Sequence, residues 1–299
     1  MVKKLEDLFV EIKSRPKKRI VGAYACDSHT ICAISQAVDL GIVDAILVGD
    51  EDLIKNVCKQ ENIDITKFRI VNEPVDTKAA AKAVELINGG EGDILMKGLL
   101  STDKYMRAIL NKEKGLVPPK SVLTHITVME NANYHKLLIV GDVAIIPAPE
   151  LDQKVAITNY QIRTAHELGI KVPKVAIIAA TEQVLPKMQA CVDATIISKM
   201  SERGQIKGAI VDGPMALDVA IDKESAETKG VNSPVAGDAD CLVFPNIESG
   251  NVFYKTNTKF CKAELGAFVV GAKCPCVLSS RGDTMKTKLN SIALAALHA

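Results

Sequence analysis

Tryptophan is absent from this chain of 299 residues, and five tyrosines and six phenylalanines leave the Phe, Trp and Tyr share at 4%. A core must therefore be built from Ile, Leu, Val and Ala, the composition of buried parallel strands. An excess of either charge is also missing: 37 Lys and Arg stand against 36 Asp and Glu. That balance argues against nucleic acid as a partner, because a general binder gathers a basic excess on one face. It leaves room for a small anion, which needs only a few placed cations. Hydrophobic residues make up 47%, yet no apolar run approaches the roughly 20 residues of a membrane span. Residues 1–18 mix Lys and Glu in an amphipathic pattern without a signal-peptide core. No membrane partner is expected, and the expected location is the cytoplasm.

The eight cysteines are scattered, with no Cys-x-x-Cys pair, and in the cytoplasm they should be reduced. Cys274-Pro275-Cys276 reads as two small core residues, since no second ligand pair stands at finger spacing. The five histidines are dispersed, and His29 reads as a structural or capping residue at a helix start. There is no G-x-x-x-x-G-K-[ST] loop, no G-x-S-x-G elbow and no H-E-x-x-H. Gly90-Glu91-Gly92 precedes a strand and lacks the third glycine of a dinucleotide fingerprint, so it reads as a turn. No bound cofactor and no metal are expected.

What is present is an alternation of short β-branched runs with amphipathic segments. Residues 19–24, 45–49, 68–71 and 93–96 read as strands, with helices over 29–40, 52–61 and 77–87 between them. That spacing means βαβ units and a parallel sheet. The alternation breaks over 114–155, where 122–129, 136–140 and 143–146 look like a meander. A second series follows: helix 151–168, strand 174–179, helix 186–200, strand 209–211, strand 241–244, helix 251–261, strand 275–278 and helix 284–297. Two α/β domains are expected, residues 1–135 plus 275–299 and residues 136–274, with the cleft between them as the default ligand site.

Three segments can carry chemistry. Met96-Lys97-Gly98-Leu99-Leu100-Ser101-Thr102-Asp103 joins a strand end to a helix containing Arg107. A helix N-terminus there offers N–H groups and partial positive charge to an anion, with Lys97, Ser101 and Thr102 as added donors. The plain alternative is a Ser cap with Lys97 on the surface. Ser280-Arg281-Gly282-Asp283 occupies a second strand-to-helix turn and combines a donor, a fixed cation and a carboxylate; Arg suits phosphate through its planar fork. Here the plain alternative is Asp283 capping the helix and Arg281 solvated. The third segment runs from Val211-Asp212-Gly213-Pro214 to Asp238-Ala239-Asp240 and is rich in Gly, Pro and Asp. Turn chemistry explains much of it, but it also fits one wall of a cleft, with Asp218, Ser233 and Gly237 as substrate-binding candidates.

Taken together these stretches resemble the phosphate acetyltransferase and butyryltransferase family. The resemblance is carried by Val211-Asp-Gly-Pro-Met-Ala-Leu-Asp-Val-Ala-Ile221, Ser233-Pro-Val-Ala-Gly-Asp-Ala-Asp-Cys-Leu-Val-Phe-Pro-Asn246, Ser249-Gly-Asn-Val-Phe-Tyr-Lys255 and Ser280-Arg-Gly282. Met96-Lys-Gly-Leu-Leu-Ser-Thr102 and Lys288-Leu-Asn-Ser-Ile-Ala-Leu-Ala295 look more like its butyryltransferase branch. The resemblance implies two α/β/α domains related to isocitrate and isopropylmalate dehydrogenases, a homo-oligomer, and acyl transfer between coenzyme A and inorganic phosphate. By resemblance Ser280 would hydrogen-bond the thiol sulfur or developing oxyanion, Arg281 would hold phosphate, and Thr102 and Arg107 would add anion contacts. The acetyltransferase pattern places an acidic residue several positions beyond the Ser-Arg pair, where this chain has Lys286, Thr287 and Lys288. Asp283 is the nearest carboxylate and the candidate base, although pairing with Arg281 would lower its pKa. Two other readings remain. One is a dehydrogenase of the same fold, using Asp212, Asp218, Asp238 and Asp240 for a divalent metal. The other is a non-catalytic acyl-CoA or acyl-phosphate binding protein.

Overall fold

The structure, a computed structural model, describes residues 1–278 and 283–299. In chain order it begins with α1 (Asp7–Lys13), β1 (Lys18–Ala23), α2 (Ser28–Asp39), β2 (Val43–Gly49) and α3 (Glu51–Gln60). Then come β3 (Phe68–Asn72), α4 (Asp76–Asn88), β4 (Ile94–Lys97) and α5 (Thr102–Ile109). The middle of the chain forms β5 (Thr124–Glu130), β6 (Leu138–Gly141), α6 (Leu151–Glu167), β7 (Lys174–Ile178) and α7 (Gln189–Glu202). It continues through β8 (Ile210–Met215), α8 (Leu217–Ile221), α9 (Lys223–Thr228), β9 (Cys241–Val243) and α10 (Ile247–Lys259). The last elements are β10 (Glu264–Val270), β11 (Cys276–Val277) and α11 (Met285–His298).

These elements form two compact units. One comprises Leu5–Leu123 and Leu265–Ala299, the other Met1–Lys4 and Thr124–Glu264. In the first unit the strands lie in the order β3-β2-β1-β4-β11-β10, all parallel except the β10–β11 pair. In the second the order is β5-β6-β9-β7-β8, with β5–β6 antiparallel and the rest parallel. The sheets carry the aliphatic core: Ile20, Val21, Ile94, Leu95 and Val277 in one, Ile139, Val140, Val175, Leu242 and Val243 in the other, all 2% exposed or less. Strands buried on both faces need no polar alternation, which is why they read as continuous apolar runs.

Helix starts are set by short polar side chains that accept from orphan amides. Asp27 caps α2 by accepting from Thr30 N at 2.9 Å, so His29, exposed in the first turn, is not the cap. Asp50 caps α3, Ser101 caps α5 and Asn246 caps α10. Because Asn246 accepts from Ser249 N, α10 starts before Gly250 and not after it. Two further departures have local causes. The expected strand over 143–146 is a loop, because the buried Asp142 carboxylate gathers Ala144 N and Ile145 N at 2.6 and 2.8 Å and curls the chain. Conversely, β10 is a strand that the apolar run Leu265-Gly-Ala-Phe-Val-Val270 forms by pairing with β11.

Candidate functional site

In the first unit β2 and β3 are laid outward on one side of β1, and β4, β11 and β10 lie on its other side. The crevice at the carboxyl ends of β1 and β4 is thus a topological switch point, where open parallel sheets bind ligands. Register places the strand ends together: Ala23 opposite Lys97, and Val277 opposite Met96. Three loops leave this edge, after β1, β4 and β11.

The first two loops are laced by backbone hydrogen bonds. Gly98 N donates to Ala23 O at 2.9 Å and Leu99 N to Tyr24 O at 2.8 Å. Tyr24 has a φ of +54°, a left-handed conformation that costs a non-glycine residue roughly 1–2 kcal/mol. Gly98 sits so close that a Cβ there would lie 2.3 Å from Tyr24 O. Lys97 is buried, not a surface residue, and its ammonium donates to Gly98 O at 3.2 Å and Leu100 O at 3.0 Å. The β4–α5 loop is therefore wound around an internal cation and pinned to the β1 loop.

Beyond it, Ser101 accepts from Lys104 N at 3.2 Å as the α5 cap, and Thr102 is the exposed first residue of the helix. Arg107 lies further along α5, with its side chain 79% exposed and paired to Asp103 at 3.0 Å. Arg107 thus stands in the last turn of α5, whereas Lys97, Ser101 and Thr102 share one strand-to-helix junction. Around it, Lys104 on α5 meets Asp76 at the start of α4 at 2.5 Å, and this hydrogen bond holds the Asp76 carboxyl below the usual carboxylate range. Cys26, in the β1 loop, has its thiol pushed up to about 11, chiefly by burial, against a hydrogen bond from Asp50 N. It is a protonated packing group at neutral pH. The Tyr24–Asp27 loop was missed from sequence; its signal is Asp27-Ser28, an Asx cap directly after the first strand.

After β11, Ser280 and Arg281 lie outside the described residues. Asp283 is half-buried just before α11, and the cap of that helix is Thr284, which accepts from Thr287 N at 3.1 Å. Asp283 is therefore not the cap. Cys274 and Cys276 are buried, and the Cys276 thiol contacts Cys274 O, as expected of core residues.

The other candidates belong to the second unit. Asp218 stands in the first turn of α8, paired with Lys229 at 2.9 Å, and that hydrogen bond lowers its pKa. Lys229 also reaches Glu182 at 3.3 Å. Ser233 Oγ accepts from Val235 N at 3.2 Å. Gly237 has a φ of +71°, donates to Val219 O at 2.7 Å and lies against Lys223, which leaves no space for a side chain. Its role is backbone packing beside α8. Asp238 and Asp240 sit elsewhere, just before β9 and so at the amino end of the parallel strands, bound by Lys136, Lys174 and, for Asp238, His135 at 2.6–3.0 Å. They do not join Asp218 in a carboxylate cluster. No group of His, Cys, Asp or Glu side chains that could hold a metal occurs among the described residues.

Together the fold and the loops define a largely parallel α/β protein whose first unit gathers the loops after β1 and β4 at one sheet edge. Comparison with known proteins carries this to a family. The family model described as phosphate acetyl/butaryl transferase matches residues 67–296. The phosphate butyryltransferase of Clostridium acetobutylicum is 47% identical over 297 residues, covering 99% of this chain and 98% of the relative. A solved branched-chain phosphotransacylase from Enterococcus faecalis superposes with a TM-score of 0.81 at 28% identity, covering 94% of this chain and 98% of that one. A 4-hydroxythreonine-4-phosphate dehydrogenase from Burkholderia phymatum shares the fold at TM-score 0.55 and 12% identity, covering 95% and 99% of the two chains. The chain belongs to the phosphate acetyl/butyryl transferase family.

Proposed function

We propose that this protein transfers a short acyl group between coenzyme A and inorganic phosphate, acting as a phosphate butyryltransferase, with coenzyme A as substrate and no resident cofactor. The observation that carries the reading is similarity along nearly the whole chain to a phosphate butyryltransferase. The register of β4 and β11 supports it, since the Lys97–Thr102 and Ser280–Asp283 sequences both follow strands that end at one sheet edge.

In the direction of acyl-CoA formation the thiol sulfur attacks the acyl-phosphate carbonyl, the C–O bond to phosphate breaks, and the thiol proton leaves to a base. A free thiol has a pKa of about 8.5 and reacts as its thiolate, so a base or a stabilising donor is required. Ser280 supplies that donor to sulfur or to the developing oxyanion, and Arg281 holds the phosphate. Ser101, Thr102 and the start of α5 add anion contacts, with Arg107 further along the same helix; Asp283 is the candidate base. Asp218, Ser233 and Gly237 form the substrate-binding set in the second unit, Gly237 by setting the backbone turn beside α8. The eight cysteines, all unpaired, accord with a reducing cytoplasm, and a homo-oligomer is the expected assembly. Among the described residues no helix is long and apolar enough to cross a membrane.

The test is release of coenzyme A from butyryl-CoA and acetyl-CoA, followed with a thiol reagent, with and without phosphate. Phosphate-dependent release favouring butyryl-CoA is expected, and Ser280→Ala should lower kcat by about 100-fold or more, as loss of an oxyanion donor does. Absence of release from either thioester, together with absence of the reverse reaction, would leave a binding protein.

A further inference from the structure

A lysine is seldom buried without a partner, and among the described residues three are buried: Lys97, Lys154 and Lys288. Lys97 donates to Gly98 O and Leu100 O, and Lys154 meets Asp193. Lys288 is 4% exposed, and among the described residues its ammonium has no hydrogen-bond or ion-pair partner. The capping carboxylate of α2, the helix on which α11 packs, does not neutralise it. Asp27 accepts from Thr30 N through Oδ1, and its Oδ2 is buried without a partner. Lys288 is the fourth residue of α11 after the Thr284 cap. Helical side chains tilt toward the helix N-terminus, so its four-carbon stem carries the ammonium back over the first turn. That turn holds the amides a helix leaves unpaired, of which Thr284 takes one, from Thr287 N at 3.1 Å. The far end of α11 is fixed at the amino end of β1, where Lys18 donates to Ala299 O at 2.8 Å. The N-terminus of α11 therefore lies at the carboxyl edge of the sheet, where open parallel sheets bind ligands. A buried ammonium and a helix start directed to one place form a site for an anion.

We propose that Lys288 and the N-terminus of α11 bind a phosphate group of the substrates, that of inorganic or acyl phosphate or one carried by coenzyme A. The inference rests on the acyltransferase reading above for the identity of those substrates. It is tested by thermal unfolding of the wild type, Lys288→Met and Lys59→Met, the last a control for net charge at an exposed lysine of α3. The probes are inorganic phosphate, coenzyme A, and pantetheine, which lacks the phosphates of coenzyme A. Lys288→Met keeps the apolar stem and removes the unpaired charge, so without ligand its Tm should equal or exceed that of the wild type. A ligand raises Tm by binding the folded form. The rise with phosphate, or the part of the coenzyme A rise that pantetheine does not give, should be lost in Lys288→Met and kept in Lys59→Met. The first pattern assigns the site to the substrate phosphate, the second to coenzyme A. In steady-state kinetics KM for that substrate should rise about tenfold or more, with kcat within about threefold, as when a charge-assisted contact to an unreacting group is lost. Both rises kept in Lys288→Met, or a lower Tm of this variant without ligand, overturns the inference, as does a wild type that none of the probes stabilises. A wild type without phosphate-dependent release of coenzyme A overturns the acyltransferase reading, while the Tm shifts still decide whether Lys288 holds a phosphate group.

Discussion

Gly98 shows how closely single residues govern the loop between β4 and α5. Its amide donates to Ala23 O and the next amide to Tyr24 O, so neither chain can slide to admit a side chain. Gly98→Ala would place a Cβ 2.3 Å from Tyr24 O, far inside contact distance. The expected result is a loss of about 1–3 kcal/mol in stability, as for other overpacking changes, read from urea midpoints, with a higher KM for phosphate. The same residues show what could be read in advance. Lys97, Ser101 and Thr102 were visible as polar groups between a strand and a helix. That Lys97 is turned inward onto two carbonyls could not be, because burial of a lysine depends on carbonyl groups that only the folded loop presents.

At the scale of elements, the second unit contains a buried ion pair between helices. Lys154 on α6 meets Asp193 on α7 at 2.6 Å, with both side chains 6% exposed or less, and Gln189 donates to the other carboxylate oxygen at 2.7 Å. Removing one partner strands a charge in the interior, so Lys154→Ala should cost about 3–5 kcal/mol. The double variant Lys154→Met, Asp193→Leu should recover much of that loss. Thermal and urea unfolding of both would check the pair, and additive losses would contradict the coupling. The alternation of strands and helices was legible because aliphatic runs and amphipathic periods are local properties. The loop after β6 was not, since Asp142 imposes its turn through four hydrogen bonds, two of them to β5 at Thr124 Oγ and His125 N.

Across the whole molecule, carboxylates held in the charged form make acid the sensitive direction. Hydrogen bonding from Arg19 keeps Asp93 below the usual range. Burial opposes ionisation of Asp238, but hydrogen bonds from Lys174, Lys136 and His135 outweigh it and hold this carboxyl well below the usual range. Depressed carboxylate pKa values contribute stability that is present above the unfolded value of about 4 and is lost as pH falls through the folded one. Asp238→Asn should therefore lower Tm most at about pH 7, with the penalty only partly reduced at about pH 3, where the folded carboxyl is still ionised while the unfolded one is largely protonated, as measured by calorimetry. An equal shift at both pH values would remove Asp238 from the acid response. The aliphatic composition, the α/β class and the family were determined by the sequence itself, since they depend on residue type and order along the chain. The side-by-side placement of β4 and β11, the inward turn of Lys97, the burial of Lys288 and the removal of Asp238 to the amino end of the strands were decided only by tertiary structure. Each depends on which distant segments become neighbours, and burial and hydrogen-bond partners exist only after those neighbours meet.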